Sequence, residues 1–144
     1  MALAPEKNGP QAIGKSRAGW TTKIHLVAAG GRTAVNFSLS PGNAGDATEG
    51  RELLKQTKLA ARHVIMDRAY EGDETRQLVR DLDCIPVVPP KSNRREPWEY
   101  DRQLYKQRNE VERLFRRLKG FRRIFTRFDK LDVVFTFFIY FALI

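Results

Sequence analysis

Apolar positions recur along the chain with two different periods. Residues 21–29, T-T-K-I-H-L-V-A-A, have strand composition, and T-A-V-N-F-S-L-S at 33–40 alternates apolar and polar residues. A period of two faces one side of a strand toward a core. The turn G-G-R at 30–32 between these runs predicts a β-hairpin. The loop P-G-N-A-G-D-A-T at 41–48 leads to a helix beginning near Glu49, with Asp46 or Thr48 as its N-cap. H-V-I-M at 63–66 is too short for a helix and reads as a buried strand, with Asp67 at its carboxyl end. Residues 72–82 form an amphipathic helix with an acidic first turn, and C-I-P-V-V-P-P at 84–90 is a second buried strand stopped by prolines.

A loop then leads into one long helix over about 101–119, closed by Gly120. The order β-β-α-β-α-β-α predicts an α/β domain, a mixed sheet flanked by helices, over residues 21–144. Residues 1–20, rich in Gly, Pro and Lys, read as a loosely ordered segment. In such sheets functional groups gather beyond the carboxyl ends of the strands, where Asp67 stands.

The long helix carries the sharpest pattern. At about 100° per residue, Tyr105, Arg108, Glu112, Phe115 and Lys119 share one stripe, with Leu104, Val111 and Leu118 beside it. Glu112 therefore sits on the border of the buried face, held by packing yet able to reach solvent. Glu110 lies well out on the wet face and reads as a surface charge. Arg108 and Glu112, four residues apart, are also placed for an ordinary helix-surface ion pair.

Charge adds a partner. Lys and Arg number 26 against 17 Asp and Glu, a net of +9, and residues 91–130 alone hold 14 against 6. A basic charge gathered in one segment suits a polyanion, nucleic acid before an acidic membrane surface. The single cysteine, Cys84, excludes an internal disulfide and fits a reducing cytosol. The apolar run V-V-F-T-F-F-I-Y-F-A-L-I at 133–144 is shorter than the roughly 20 residues a bilayer requires, so it reads as a buried helix or strand, with no membrane partner. No Walker loop, dinucleotide fingerprint, zinc signature or nucleophile elbow is present, and His25 and His63 read as strand residues.

Asp67 and Glu112 offer oxygen ligands of the kind that suit Mg²⁺ or Mn²⁺. Two such ions can activate a water or hydroxyl and stabilise the leaving oxygen of a phosphodiester. Basic groups nearby, Arg108 and Lys119, would hold phosphates. That chemistry would account for carboxylates inside a basic helix.

The spacing Tyr105, two residues, Arg108, three residues, Glu112, six residues, Lys119 resembles the Y-(2)-R-(3)-E-(6)-K signature of bacterial insertion-sequence transposases with a DDE triad, in the group like insertion sequence five. G-K-S-R-A-G-W-T-T-K-I-H at 14–25, I-M-D-R-A-Y at 65–70, P-P-K-S-N-R-R at 89–95, Y-D-R-Q-L-Y-K-Q-R-N at 100–109 and F-R-R-I-F-T-R-F-D-K-L at 121–131 are similar to its other motifs.

The resemblance implies a ribonuclease-H-like fold, two divalent ions (Mg²⁺ or Mn²⁺), and hydrolysis and strand transfer at element ends in the bacterial cytoplasm, on nucleoid DNA. It makes Asp67 the second catalytic aspartate and Glu112 the catalytic glutamate. Tyr105, Arg108 and Lys119, with Arg94, Arg95 and Arg116, become the groups that meet DNA. The family's first aspartate lies on a strand upstream of the G-x-S-R motif, and here no aspartate precedes Asp46. The expectation is an incomplete catalytic domain, lacking its first strand and completed by an upstream segment through frameshift fusion or in trans. A homo-oligomer is a further expected partner, because core surface would be left uncovered. A catalytically inactive DNA-binding remnant or regulator is the competing reading. A small membrane-active basic protein, suggested by the apolar tail, is the third.

Overall fold

The computed structural model describes residues 9–144. Among the described residues there are five strands: β1 (Gly14–Ser16), β2 (Gly19–Gly30), β3 (Thr33–Pro41), β4 (His63–Ile65) and β5 (Ile85–Val87). The helices are α1 (Asp46–Gln56), α2 (Asp73–Asp81), α3 (Arg102–Tyr105), α4 (Asn109–Lys119), α5 (Arg122–Phe125) and α6 (Asp132–Leu143). The expected hairpin is β2–β3, and the α/β class holds. The strands pair in two sheets, however, β1-β2-β3 and β4-β5, where the sequence suggested one mixed sheet. Within the N-terminal segment expected to be loose, residues 1–8 lie outside the described residues. Gly14–Ser16 is a strand paired antiparallel with the start of β2.

The chain divides into two compact units. One comprises His25–Ser38 and Gly45–Leu114. Its core joins Leu54 of α1, Met66, Val79 of α2, Cys84 and Val88, with Val27, Val64, Tyr70 and Trp98 packed against them. Cys84 behaves as a small apolar residue, its thiol donating to the Ala61 carbonyl at 3.1 Å. Helix α1 starts earlier than the sequence suggested. Gly45 is its N-cap, Asp46 is its first residue, and no side chain caps it. It ends at Gln56 because Thr57 leaves the helical conformation and donates its hydroxyl to the Leu53 carbonyl.

Strands β4 and β5 run parallel, with Val64 opposite Pro86. Ladder bonds run from the Ile85 amide to the Arg62 carbonyl at 2.8 Å and from the Met66 amide to the Val87 carbonyl at 3.0 Å. Alternation along a strand then turns the nitrogen of Pro86, which has no proton to donate, to the edge away from β4.

The other unit comprises the residues up to Ile24, Leu39–Ala44 and Phe115–Ile144. Its buried apolar residues are Leu118, Ile124, Phe135, Ile139 and Ala142. Arg127 ties it together: the guanidinium pairs with Asp132 at 2.7 Å, donates to the Thr22 hydroxyl at 2.8 Å and lies over the Phe135 ring at 4.8 Å. The terminal apolar run is a helix, α6, but only one of its faces is buried. Val133, Phe137, Tyr140, Phe141 and Ile144 lie exposed on the opposite stripe, so the expectation of a buried element is half met. Among the described residues, no helix is long and apolar enough to cross a membrane.

Candidate active site

Asp67 stands one residue beyond β4, after Met66, and caps a single 3₁₀ turn, Arg68–Tyr70, its carbonyl accepting the Tyr70 amide at 2.9 Å. The strand fixes where the residue stands, and the turn directs its carboxylate to solvent, with 57% of the side chain exposed. The turn is itself anchored. Tyr70 packs against Gly50 of α1, where an added Cβ would meet the ring at 2.5 Å. Its hydroxyl lies 3.3 Å from Nδ1 of the buried His25. Burial, with the charges of Asp46 and Asp67, pushes the Tyr70 phenol up to about 12.

Glu112 comes from the other side of the sequence. The segment read as one helix is three pieces: α3, a 3₁₀ turn at Lys106–Arg108, and α4. Asp101 caps the first piece, accepting the Leu104 amide at 2.8 Å. Gly120 closes the last, its amide reaching the Arg116 and Arg117 carbonyls. Arg108 ends the 3₁₀ turn, and its guanidinium spans the two acids. Nη1 lies 3.2 Å from Asp67 Oδ2 and Nη2 lies 2.9 Å from Glu112 Oε1. The i,i+4 pair seen in the sequence is thus real, and it is half of a three-residue bridge. Tyr105 stands beside it, its ring 5.8 Å from the Arg108 guanidinium and edge-on to Tyr100 at 5.6 Å. Burial raises the Tyr105 phenol; Arg108 opposes that and Asp67 adds to it.

The other residues singled out in the sequence fare differently. Arg95 is exposed on the loop after β5. Arg116 and Lys119 are exposed on the last turns of α4, in the unit that also holds α6. Arg94 is engaged elsewhere. Its Nε meets buried Glu71 at 2.9 Å, Nη1 meets Asp73 at 2.9 Å, and the group lies 4.9 Å from the Trp98 ring. Arg76 stacks on the same ring at 3.4 Å, and the indole donates to the Val88 carbonyl at 2.9 Å. Burial alone would raise the Glu71 carboxyl, but hydrogen bonds from Arg94 and Lys91 outweigh it and hold the group below its ordinary value. Arg94 therefore clamps the loop after β5 to the start of α2, a structural tie that the sequence reading did not foresee.

Glu110 is the residue the sequence undervalued. It accepts the Gly31 amide at 2.8 Å, fixing the tip of the β2–β3 hairpin, and pairs with Arg113 at 2.9 Å. The only sequence signal was a two-glycine turn with free amides, which names no partner. The two glutamates of the basic helix thus divide the labour. One anchors the hairpin and the other faces Asp67 through Arg108.

Asp67 and Glu112 supply hard oxygen donors of the type Mg²⁺ and Mn²⁺ prefer. Among the described residues they are joined by no third His, Cys, Asp or Glu in a group able to hold a metal ion. The pair fits as part of a cation site.

The family described as transposase DDE domain matches residues 5–144. A putative transposase for insertion sequence element IS6501 from Brucella ovis is 32% identical over 123 residues, covering 85% of this chain and 94% of the relative. No solved structure matches. With the match covering almost its whole length, the chain belongs to the DDE transposase family.

Proposed function

We propose that the chain is catalytic-domain material of a bacterial insertion-sequence transposase with a ribonuclease-H-like arrangement. Its Asp67 and Glu112 are two of the three carboxylates of the centre. The observation that carries this reading is the Arg108 bridge, which draws together an acid at a strand end and an acid on a helix 45 residues later. The family normally uses divalent metal ions. Held by these oxygens, Mg²⁺ or Mn²⁺ would activate a water or terminal hydroxyl and stabilise the leaving oxygen of a phosphodiester.

The chain's own residues do the rest. Tyr105 walls the site, and Arg108, Arg95, Arg116 and Lys119 attract the backbone of element ends and target DNA. The third carboxylate comes from an upstream segment, fused by frameshift or bound in trans. A cytoplasmic, nucleoid-associated location and self-association belong to the same proposal.

The test is a plasmid-nicking assay in Mg²⁺. The chain alone is expected to leave the DNA intact. Adding a segment that carries an apolar strand ending in aspartate is expected to restore nicking, and Glu112→Gln to remove it. Nicking by the chain alone that disappears in Glu112→Gln would overturn the incomplete-site reading and turn attention to Asp46. Salt-sensitive duplex binding with no nicking in either mixture would leave a DNA-binding regulator.

A further inference from the structure

We propose that Arg108 is a resident counter-ion for Asp67 and Glu112, one that a divalent cation displaces, so that metal binding and the grip on a DNA phosphate are coupled through one guanidinium. The inference rests on the proposed transposase centre and adds a device to it.

Two carboxylates brought together repel each other unless a cation stands between them. Arg108 supplies that cation with two different nitrogens, one per acid. A planar guanidinium fixes the spacing of the oxygens it holds, so it keeps the pair in place before any metal arrives.

The grip is also weak enough to exchange. The three side chains are 32%, 57% and 41% exposed for Arg108, Asp67 and Glu112, and ion pairs as exposed as these are weak. A divalent cation seeks the same oxygens with twice the charge. Once it binds, two negative charges meet three positive ones, and the guanidinium is left without a full partner.

Two features let Arg108 leave. It ends a 3₁₀ turn set between α3 and α4, and such a turn inside a helical run is a common hinge. The face of Tyr105, 5.8 Å away, already flanks the guanidinium and can keep contact with it once the carboxylates are taken. A phosphate then replaces the lost carboxylates. Linkage requires the effect to run both ways: DNA that captures Arg108 frees the acids and strengthens metal binding.

The experiment uses the chain itself, with Mn²⁺ binding followed by the electron paramagnetic resonance of the free ion. Binding of a labelled duplex is followed by fluorescence anisotropy, with and without Mg²⁺ at matched ionic strength. Arg108→Ala is expected to bind Mn²⁺ several-fold more tightly than the wild type. Its loss of duplex affinity is expected to be about twofold without Mg²⁺ and about tenfold with it, a coupling of ordinary allosteric size. Arg108→Lys, which keeps the charge but not the fork, should fall between, and circular dichroism checks that both variants fold.

Equal Mn²⁺ affinity in wild type and Arg108→Ala, with the same duplex penalty in both conditions, overturns the counter-ion role. The metal reading survives that result if Glu112→Gln and Asp67→Asn weaken Mn²⁺ binding. Mn²⁺ binding unchanged in those two variants, or absent from every variant even when the segment carrying the upstream aspartate is added, overturns the metal reading and this inference together.

Discussion

The two units solve the burial problem differently. The one that holds Asp67, Arg108 and Glu112 closes a core around Val79 and Val88, both without exposed surface, and exposes only Val35 and Ile85 among its large apolar side chains. The one that ends in α6 also has a core, around Phe135 and Ile139, yet ten exposed large apolar residues belong to it, from Trp20 to Ile144. A helix that is apolar all round is usually buried all round, and beyond Asp132 no residue of α6 is charged. The difference teaches that the site-bearing unit satisfies its own apolar surface, while the other keeps a surface suited to association.

The sharpest way to break this comparison is to truncate α6 on each face. Phe135→Ala should cost about 3–5 kcal/mol in chemical denaturation, the usual cost of emptying a buried aromatic site. Phe137→Ala, two residues on and 64% exposed, should change stability by no more than about 0.5 kcal/mol. It should also lower the mass seen by light scattering. A monodisperse wild-type monomer would remove the association half of the argument.

A middle-sized effect tests the other unit. Gly50→Ala places a methyl 2.5 Å from the Tyr70 ring. With the ring's hydroxyl tied to His25, the ring cannot simply swing aside, and overpacking of this kind costs about 1–3 kcal/mol. A crystal structure or thermal midpoint identical to wild type would show the turn below Asp67 to be looser than described.

The smallest expected effect is acid-dependent. Glu71 is held below its ordinary value of 4.5, so its contribution is complete above that value and is lost as pH falls through the lower, folded one. Urea midpoints should therefore decline below about pH 4.5, and Glu71→Gln should flatten part of that decline. Hydrogen exchange should place the loss at the loop after β5, with α6 unaffected; uniform loss across both units would contradict a local clamp.

Much of this was legible in the sequence, for reasons that also mark the limit. Period-two runs gave β2 and β3, and short apolar runs bounded by Asp67 and by prolines gave β4 and β5, because burial on a strand leaves a local trace. The Arg108–Glu112 pair was legible from i,i+4 geometry. Its bond to Asp67 was not, since a contact across 41 residues leaves no periodicity; oxygen-ligand chemistry and the resemblance, not geometry, paired the two acids. The break at Lys106–Arg108 was hidden because no Gly or Pro marks it. The structural partners of Glu110 and Arg94 were hidden for the same reason: each lies far along the chain, Gly31 for one, Glu71 and Asp73 for the other.

Pro86 gives the β4–β5 pair a direction of growth. With no amide proton on its outer edge, β5 can accept no regular neighbour there, so this two-stranded ribbon can be extended from the β4 side alone. Any strand recruited to it, from this polypeptide or another, would arrive alongside the residues that lead into Asp67. One imino acid thereby sets which edge of this pair can take up a further strand.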